Sequence, residues 1–112
     1  MYTIYHNPRC SKSRAGLAYL ESEEVKFQVV DYIKNPLSPK ELKELLMKMN
    51  LKPIEIIRTQ EDSYKSDLKG KNFTDDEWIR ILIENPKLMQ RPIVAKKHKA
   101  VLAQPPEKIA EL

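Results

Sequence analysis

Three Asn-Pro pairs, at 7–8, 35–36 and 85–86, set points at which the regular elements of this chain must end. Asparagine favours turns, and the residue before a proline is biased away from helical backbone. YTIY at 2–5 runs into the first pair, and VKFQVVDYI at 25–33 runs into the second. Both segments are rich in β-branched and aromatic residues, so we predict a strand in each.

The stretch between those two strands, SKSRAGLAYLESEE, contains no proline. It places Leu17 and Leu20 three positions apart with Ala18 beside them, a spacing typical of a helix with one apolar face. We therefore predict a helix that begins at Cys10 or Ser11.

Two further helices have strong start signals. SPKE at 38–41 and TDDE at 74–77 each combine an N-cap hydroxyl with a glutamate three positions later. Asn50 and the third Asn-Pro pair mark the ends of these helices. The polar residues 54–72 between them predict short helical turns. Apolar residues at helical spacing predict the buried stripe of each helix: Leu42, Leu45, Leu46 and Met49 on the first, and Trp78, Ile81 and Leu82 on the second.

The last quarter of the chain predicts two more strands. RPIVAK at 91–96 and KAVLA at 99–103 are short runs of strand-forming residues on either side of a basic turn, which predicts a hairpin. PPEKIAEL at 105–112 begins with two prolines suited to a first helical turn, so we predict a closing helix.

The order of these elements is strand, helix, strand, helices, strand, strand, helix. It predicts an α/β fold in which a small mixed sheet is flanked by helices and interrupted by an all-helical insertion. A chain of 112 residues fits one domain, so we assign 1–112 to a single unit.

Composition argues against several classes of function. No apolar run approaches the roughly 20 residues that a bilayer requires, and no leader segment is evident, so we expect a cytoplasmic protein.

The net charge is +4, and residues 87–112 carry this excess with six Lys/Arg and two Glu. That segment lacks the aromatic residues that stack on nucleic acid bases, so we expect no nucleic-acid partner. No interface patch is evident, and we expect a monomer.

Cys10 is the only cysteine, which excludes an internal disulfide and a thiolate zinc cluster. Between a strand and a helix, its sulfur would lie near the unpaired N–H groups of a helix N-terminus. His6, Arg9, Lys12 and Arg14 add positive potential nearby, and Ser13 can place its hydroxyl on the sulfur. Each of these effects lowers the pKa of the thiol, so we predict a thiolate that meets an anion rather than a buried apolar residue.

The chain resembles the ArsC family of arsenate reductases in four segments: YHNPRCSKSR, IIRTQED, FTDDEWIRILIENPKLMQRPIV and the closing PPE. The resemblance spans nearly the whole chain. It implies a thioredoxin-like (glutaredoxin-like) core with a mixed four-stranded sheet, formed by about 1–33 and 88–112. It also implies that the helical insertion covers about 38–86.

The same resemblance implies roles for individual residues. Cys10 would be the nucleophile that attacks arsenic, and Arg58 and Arg91 would bind the oxyanion, whose oxygens match planar guanidinium groups. His6 would help to hold Cys10 as a thiolate. Pro92 would be a cis-proline that precedes the third core strand and faces the cysteine.

One position departs from the family pattern. Arsenate reductases of this family usually carry a third arginine just before the PxE of the closing segment, and this chain has Gln104 there. A glutamine can still hydrogen-bond an oxyanion, but the site loses a full charge. Losing a charge-assisted hydrogen bond costs about 1.5 to 3 kcal/mol. This substitution leaves open whether arsenate or a similar oxyanion is the true substrate.

A single cysteine also limits the mechanism. Reduction of arsenate takes two electrons, and one thiol can only form a covalent adduct, so a second thiol must come from outside. The resemblance implies glutathione as the co-substrate and glutaredoxin as the protein partner, in a cycle that serves arsenic detoxification. No tightly bound cofactor and no metal are expected.

Two other functions remain open. A regulator similar to Spx would bind RNA polymerase instead of an oxyanion; its redox switch is C-x-x-C, and Ser13 occupies the place of the second cysteine. A monothiol glutaredoxin-like oxidoreductase would act on glutathione mixed disulfides without arsenate. Pull-down of RNA polymerase would favour the first alternative, and activity on mixed disulfides the second.

Overall fold

The computed structural model describes residues 1–112, and its N-terminal third is a strand, a helix and a parallel strand. Strand β1 covers Tyr2–His6 and β2 covers Phe27–Asp31, and helix α1, Ser11–Ser22, connects them. His6 lies opposite Asp31 at the carboxyl ends of the two strands. Because parallel strands end at the same edge of a sheet, the loop after β1 and the turn after β2 are neighbours.

Strand β2 is shorter than the predicted 25–33 because an aspartate ends it. Asp31 Oδ1 accepts hydrogen bonds from the backbone N–H groups of Ile33 and Lys34, each at 3.1 Å. The Asn35 N–H donates to the Asp31 carbonyl at 2.9 Å. This turn replaces the strand ladder with local hydrogen bonds and fixes the backbone around Tyr32.

The other two strands complete the sheet. Strand β3 covers Ile93–Ala95 and β4 covers Ala100–Leu102, and the four strands lie in the order β2, β1, β3, β4. β3 is antiparallel to both β1 and β4. The mixed four-stranded sheet is therefore confirmed, although both hairpin strands are shorter than predicted because residues 96–99 form the turn, closed by the Lys96 N–H on the Lys99 carbonyl at 2.8 Å.

Between β2 and β3 the regular elements are all helical. Both capping boxes are present: the Ser38 and Thr74 hydroxyls accept from the N–H groups of Glu41 and Glu77, each at 3.1 Å. The first long helix ends at Asn50, which adopts a left-handed conformation with φ of 56°. The α-helices are α2, Pro39–Met49, α3, Asp62–Asp67, and α4, Asp75–Glu84, and the 3-10 turns are Pro53–Ile56 and Pro86–Leu88.

The sheet has an apolar cluster on each face. Alternate residues of a strand point to opposite faces, so Ile4 and its neighbour Val94 pack under α1 while Ile93 packs under the helical insertion. On α4, the buried residues are Trp78, Ile79 and Leu82, so burial of Trp78 and Leu82 is as predicted, whereas the predicted Ile81 is only partly buried. The closing segment, Pro106–Glu111, is a 3-10 helix rather than an α-helix. None of the helices has the length and apolar character to cross a membrane.

Gly16 brings α1 against the segment that leads into β3. A Cβ at position 16 would lie 2.7 Å from Cγ of Pro92, and Pro92 is itself buried. Only a residue without a side chain permits this approach, so Gly16 sets the distance between the helix that begins at Cys10 and the residue that follows Arg91.

We expect Gly16→Ala to lower the free energy of unfolding in urea. Overpacking against a rigid proline costs about 1 to 3 kcal/mol, and the higher helix propensity of alanine offsets only about 1 kcal/mol of it. Ala18→Gly, at an exposed position of the same helix, is the control that measures propensity alone. If Gly16→Ala raises the free energy of unfolding by as much as Ala18→Gly lowers it, the close contact at position 16 is contradicted.

Candidate active site

Cys10 is the N-cap residue of α1. Its backbone is extended, with φ of −98° and ψ of 124°, and its carbonyl accepts the first hydrogen bond of the helix, from the Arg14 N–H at 3.0 Å. The Cys10 N–H donates to the Asn7 carbonyl at 3.0 Å, which closes the turn after β1. The side chain is partly exposed. The sulfur therefore lies at the positive end of a helix, open to a reactant.

The pKa of the Cys10 thiol is lowered from its ordinary value. Burial is the largest single effect and raises the pKa, but it is outweighed by the groups that favour the thiolate. These are the Arg91 guanidinium, acting as donor and as positive charge, and the backbone N–H groups of Ser13 and Lys12. The helix N-terminus and one arginine together favour the thiolate form of the sulfur.

Arg91 reaches the sulfur from the start of β3. Because β1 and β3 are antiparallel, with Tyr5 opposite Ile93, the residues after β1 and those before β3 lie at one edge of the sheet. The peptide between Arg91 and Pro92 is cis. The guanidinium donates through Nη1 to the Lys87 carbonyl at 3.0 Å, and its buried Nε has no hydrogen-bond partner.

Arg58 is brought to the same region by an isolated bridge between Ile57 and Met89. The Arg58 N–H donates to the Leu88 carbonyl at 2.7 Å, which ties the segment that carries Arg58 to the one that leads to Arg91. Its side chain is 13% exposed and pairs with Glu61 at 3.3 Å. Glu61 takes Nε and one terminal nitrogen of the guanidinium, so the other terminal nitrogen stays available to an anion.

Tyr32 is the site residue that sequence reasoning missed. It follows β2 directly, is 2% exposed, and its hydroxyl has no hydrogen-bond partner. Burial raises the pKa of Tyr32 to about 12, and the charges of Arg91, Cys10 and Arg58 all act on it. Its hydroxyl thus lies among the three predicted site residues. Sequence reasoning counted it within a strand, whereas its place at the carboxyl end of β2 was the signal that could have found it.

His6 and Ser13 form a buried pair under the Cys10 loop. His6 Nδ1 and Ser13 Oγ are 2.7 Å apart, and the Asn7 N–H donates to the same oxygen at 2.9 Å. The Ser13 hydroxyl is therefore occupied and does not reach the sulfur as expected; the Ser13 N–H does so instead. Burial lowers the pKa of His6, so His6 is neutral near pH 7 and adds no positive charge near the sulfur. Its contact with the Ser13 hydroxyl helps to hold the loop.

Arg14 also acts differently from the expectation. Its guanidinium donates to the Pro8 carbonyl at 2.9 Å across an exposed part of the loop. It is not among the groups that lower the pKa of Cys10. Arg14 holds the loop in place and leaves the ionisation of the sulfur to Arg91.

Taken as chemistry, these residues combine a nucleophile with an anion site. The pKa of the sulfur is lowered by Arg91, and the charges of Arg91 and Arg58 both act on the neutral hydroxyl of Tyr32. Two guanidinium groups near a nucleophile suit a tetrahedral oxyanion, which they would neutralise and orient for attack.

The family model named ArsC family matches residues 5–112. The chain belongs to the ArsC family. It is 40% identical over 111 residues to the uncharacterized protein YfgD of Escherichia coli K12, covering 97% of this chain and 93% of that one. It is 39% identical over 108 residues to an arsenate reductase of Neisseria meningitidis serogroup A, covering 95% and 92%. The structure of an arsenate reductase from Vibrio cholerae matches with a TM-score of 0.91 at 38% identity, covering 98% and 95%.

Within the ArsC family pattern, Gln104 is the residue that departs. Its Nε2 donates to the Arg91 carbonyl. Both peptides that flank this contact, Arg91–Pro92 and Gln104–Pro105, are cis, and the second was not predicted. The amide nitrogen of Gln104 is thus engaged in holding the backbone of Arg91, so it does not simply replace an anion-binding arginine.

Replacing Arg91 with glutamine should raise the pKa of the Cys10 thiol towards its ordinary value, because the variant lacks the positive donor next to the sulfur. The rate of alkylation by iodoacetamide as a function of pH measures this. In the native protein the rate should reach its plateau at a lower pH than for an unperturbed thiol. Arg9→Gln removes the same charge from an exposed neighbour and is the control. Equal profiles for native protein and Arg91→Gln would be incompatible with this account.

Proposed function

We propose that this protein reduces arsenate to arsenite, with Cys10 as the nucleophile and external thiols as the source of electrons. The observation that carries the proposal is the position of Cys10 at the start of α1, where Arg91 and the first N–H groups of the helix act on the sulfur and lower the pKa of its thiol. The names of the Neisseria meningitidis and Vibrio cholerae relatives support arsenate as the substrate.

Binding of arsenate would use the free donors of the two arginines. Arg58 keeps one terminal nitrogen outside its pair with Glu61, and Arg91 presents the side of its guanidinium that faces the sulfur. Each charge-assisted hydrogen bond to an oxyanion contributes about 1.5 to 3 kcal/mol. Arsenic would then stand in front of the thiolate while its negative charge is balanced.

The first chemical step is attack of the Cys10 sulfur on arsenic(V). A sulfur–arsenic bond forms, and one arsenate oxygen leaves as water after protonation. Arsenic is still in the +5 state at this point, so the adduct needs two electrons before arsenite can leave.

Two thiols from outside supply those electrons, since the chain has one cysteine. Glutathione attacks arsenic in the adduct and displaces a second oxygen as water. A thiol of glutaredoxin then attacks the glutathione sulfur, so that the bond between arsenic and glutathione breaks, its electron pair reduces arsenic to the +3 state, and a mixed disulfide leaves. Water hydrolyses the remaining bond between arsenic and Cys10, which releases arsenite. The balance is one arsenate and two thiols giving one arsenite, one disulfide and one water. Cys10 returns to the thiolate, which makes it a catalyst and not a reagent.

The test is arsenite production with arsenate, glutathione and glutaredoxin. We expect Cys10→Ser to abolish turnover, and Arg58→Lys to reduce kcat/KM by about ten- to a hundredfold, because a lysine cannot reproduce the guanidinium geometry. Arg9→Lys, the same exchange at an exposed position, should leave turnover unchanged.

Turnover by Cys10→Ser would eliminate the covalent scheme. If the native protein instead reduces a glutathione mixed disulfide and produces no arsenite, arsenate is not its substrate. If Arg9→Lys is as impaired as Arg58→Lys, the effect of Arg58 is not specific binding.

A further inference from the structure

The hydroxyl of Tyr32 is a buried polar group without a hydrogen-bond partner. Tyr32 is 2% exposed and packs in the larger apolar cluster. Only one other buried side-chain nitrogen or oxygen in the protein lacks a partner, and it is Nε of Arg91. Buried polar groups are almost always paired, so two such atoms with charges that act on each other require an explanation.

The topology directs Tyr32 to the site. It follows Asp31, whose partner across the parallel ladder is His6, and the Cys10 loop begins one residue after His6. The turn held by the Asp31 side chain fixes the backbone on the other side of Tyr32. The placement of its ring is therefore set by the strand and the turn, independently of any hydrogen bond of its own.

The hydroxyl keeps its proton at neutral pH, because burial raises the pKa of Tyr32 to about 12. It can therefore act as a donor. The sulfur is not its acceptor: no hydrogen bond joins Tyr32 to Cys10, and Tyr32 is not among the groups that lower the pKa of the thiol. Arg91 acts on the hydroxyl as a charge and as a donor, so it can approach a lone pair of the oxygen but cannot accept the O–H proton. Arg58 also carries donors only, so these neighbours leave the O–H proton without an acceptor, and a bound anion would supply one.

We propose that the Tyr32 hydroxyl donates a hydrogen bond to an oxygen of the oxyanion that Cys10 attacks. Tyr32 thus joins Arg58 and Arg91 as a third anion-binding group. Its hydroxyl is a neutral donor, so it adds a hydrogen bond to the anion but does not restore the charge that is missing at Gln104. This inference rests on the proposed function and adds a ligand to the same site. Nε of Arg91, the other unpaired donor, would be satisfied by the same anion.

If the hydroxyl only stabilised the fold, its removal would lower the urea midpoint. The proposal predicts no such loss of stability. A buried hydroxyl without a partner does not stabilise the fold, and its removal with the ring retained is neutral or stabilising. Tyr32→Phe should therefore leave the urea midpoint unchanged or raised. It should also leave the pKa of the Cys10 thiol close to that of the native protein, since Tyr32 makes no hydrogen bond to the sulfur and is not among the groups that lower its pKa.

The experiment measures protection of Cys10 from iodoacetamide by sodium arsenate, which reports binding without turnover. Tyr32→Phe should weaken protection by about tenfold or more, because it removes a hydrogen bond to a charged acceptor. The matched control is Tyr5→Phe: Tyr5 packs against the same apolar cluster, but its hydroxyl lies near Glu41 and Glu44. It should bind arsenate as the native protein does.

If arsenate protects Cys10 equally in the native protein and in Tyr32→Phe, this inference is wrong and the proposed function stands. No protection of the native protein by arsenate would overturn both. A Tyr32→Phe protein that is destabilised, or whose thiol pKa moves as far as in Arg91→Gln, would assign Tyr32 to the framework or to the sulfur, and would equally overturn the inference.

Discussion

The positive charge of Arg91 beside the Cys10 sulfur is the interaction on which the site depends. Burial opposes ionisation of the thiol, so without this neighbour the sulfur would move back towards an ordinary, largely protonated cysteine. The same guanidinium lies next to the space that an anion must occupy to be attacked by the sulfur. One side chain therefore links the reactivity of the nucleophile to the binding of its substrate, and its placement is what the fold has to secure.

The fold secures that placement through contacts far apart in the sequence. Antiparallel pairing of β1 with β3 brings the cysteine loop and Arg91 to one edge of the sheet. The missing side chain of Gly16 lets α1 approach Pro92, and the bridge between Ile57 and Met89 brings the Arg58 segment to the same edge. The helical insertion thus does more than cover the sheet, because it delivers the second arginine.

The sequence predicted what local patterns determine. Asn-Pro stops and capping boxes located most elements, and the placement of Cys10 at a helix start followed from them. Local patterns could not show that the Ser13 hydroxyl is taken by His6 and Asn7, because this depends on how the loop folds back under the helix. Tyr32 was missed for a related reason: an aromatic residue at the end of a β-rich run is indistinguishable from core until the parallel strand beside it is known.

Diffraction at the arsenic absorption edge, from crystals soaked in arsenate, tests the central claim most directly. The account predicts one arsenic atom in contact with or bonded to the Cys10 sulfur, with its oxygens directed to Arg91 and Arg58. Arsenic located only elsewhere, for example on the exposed lysines of the β3–β4 turn, with the space between Cys10 and Arg91 unoccupied, would contradict it.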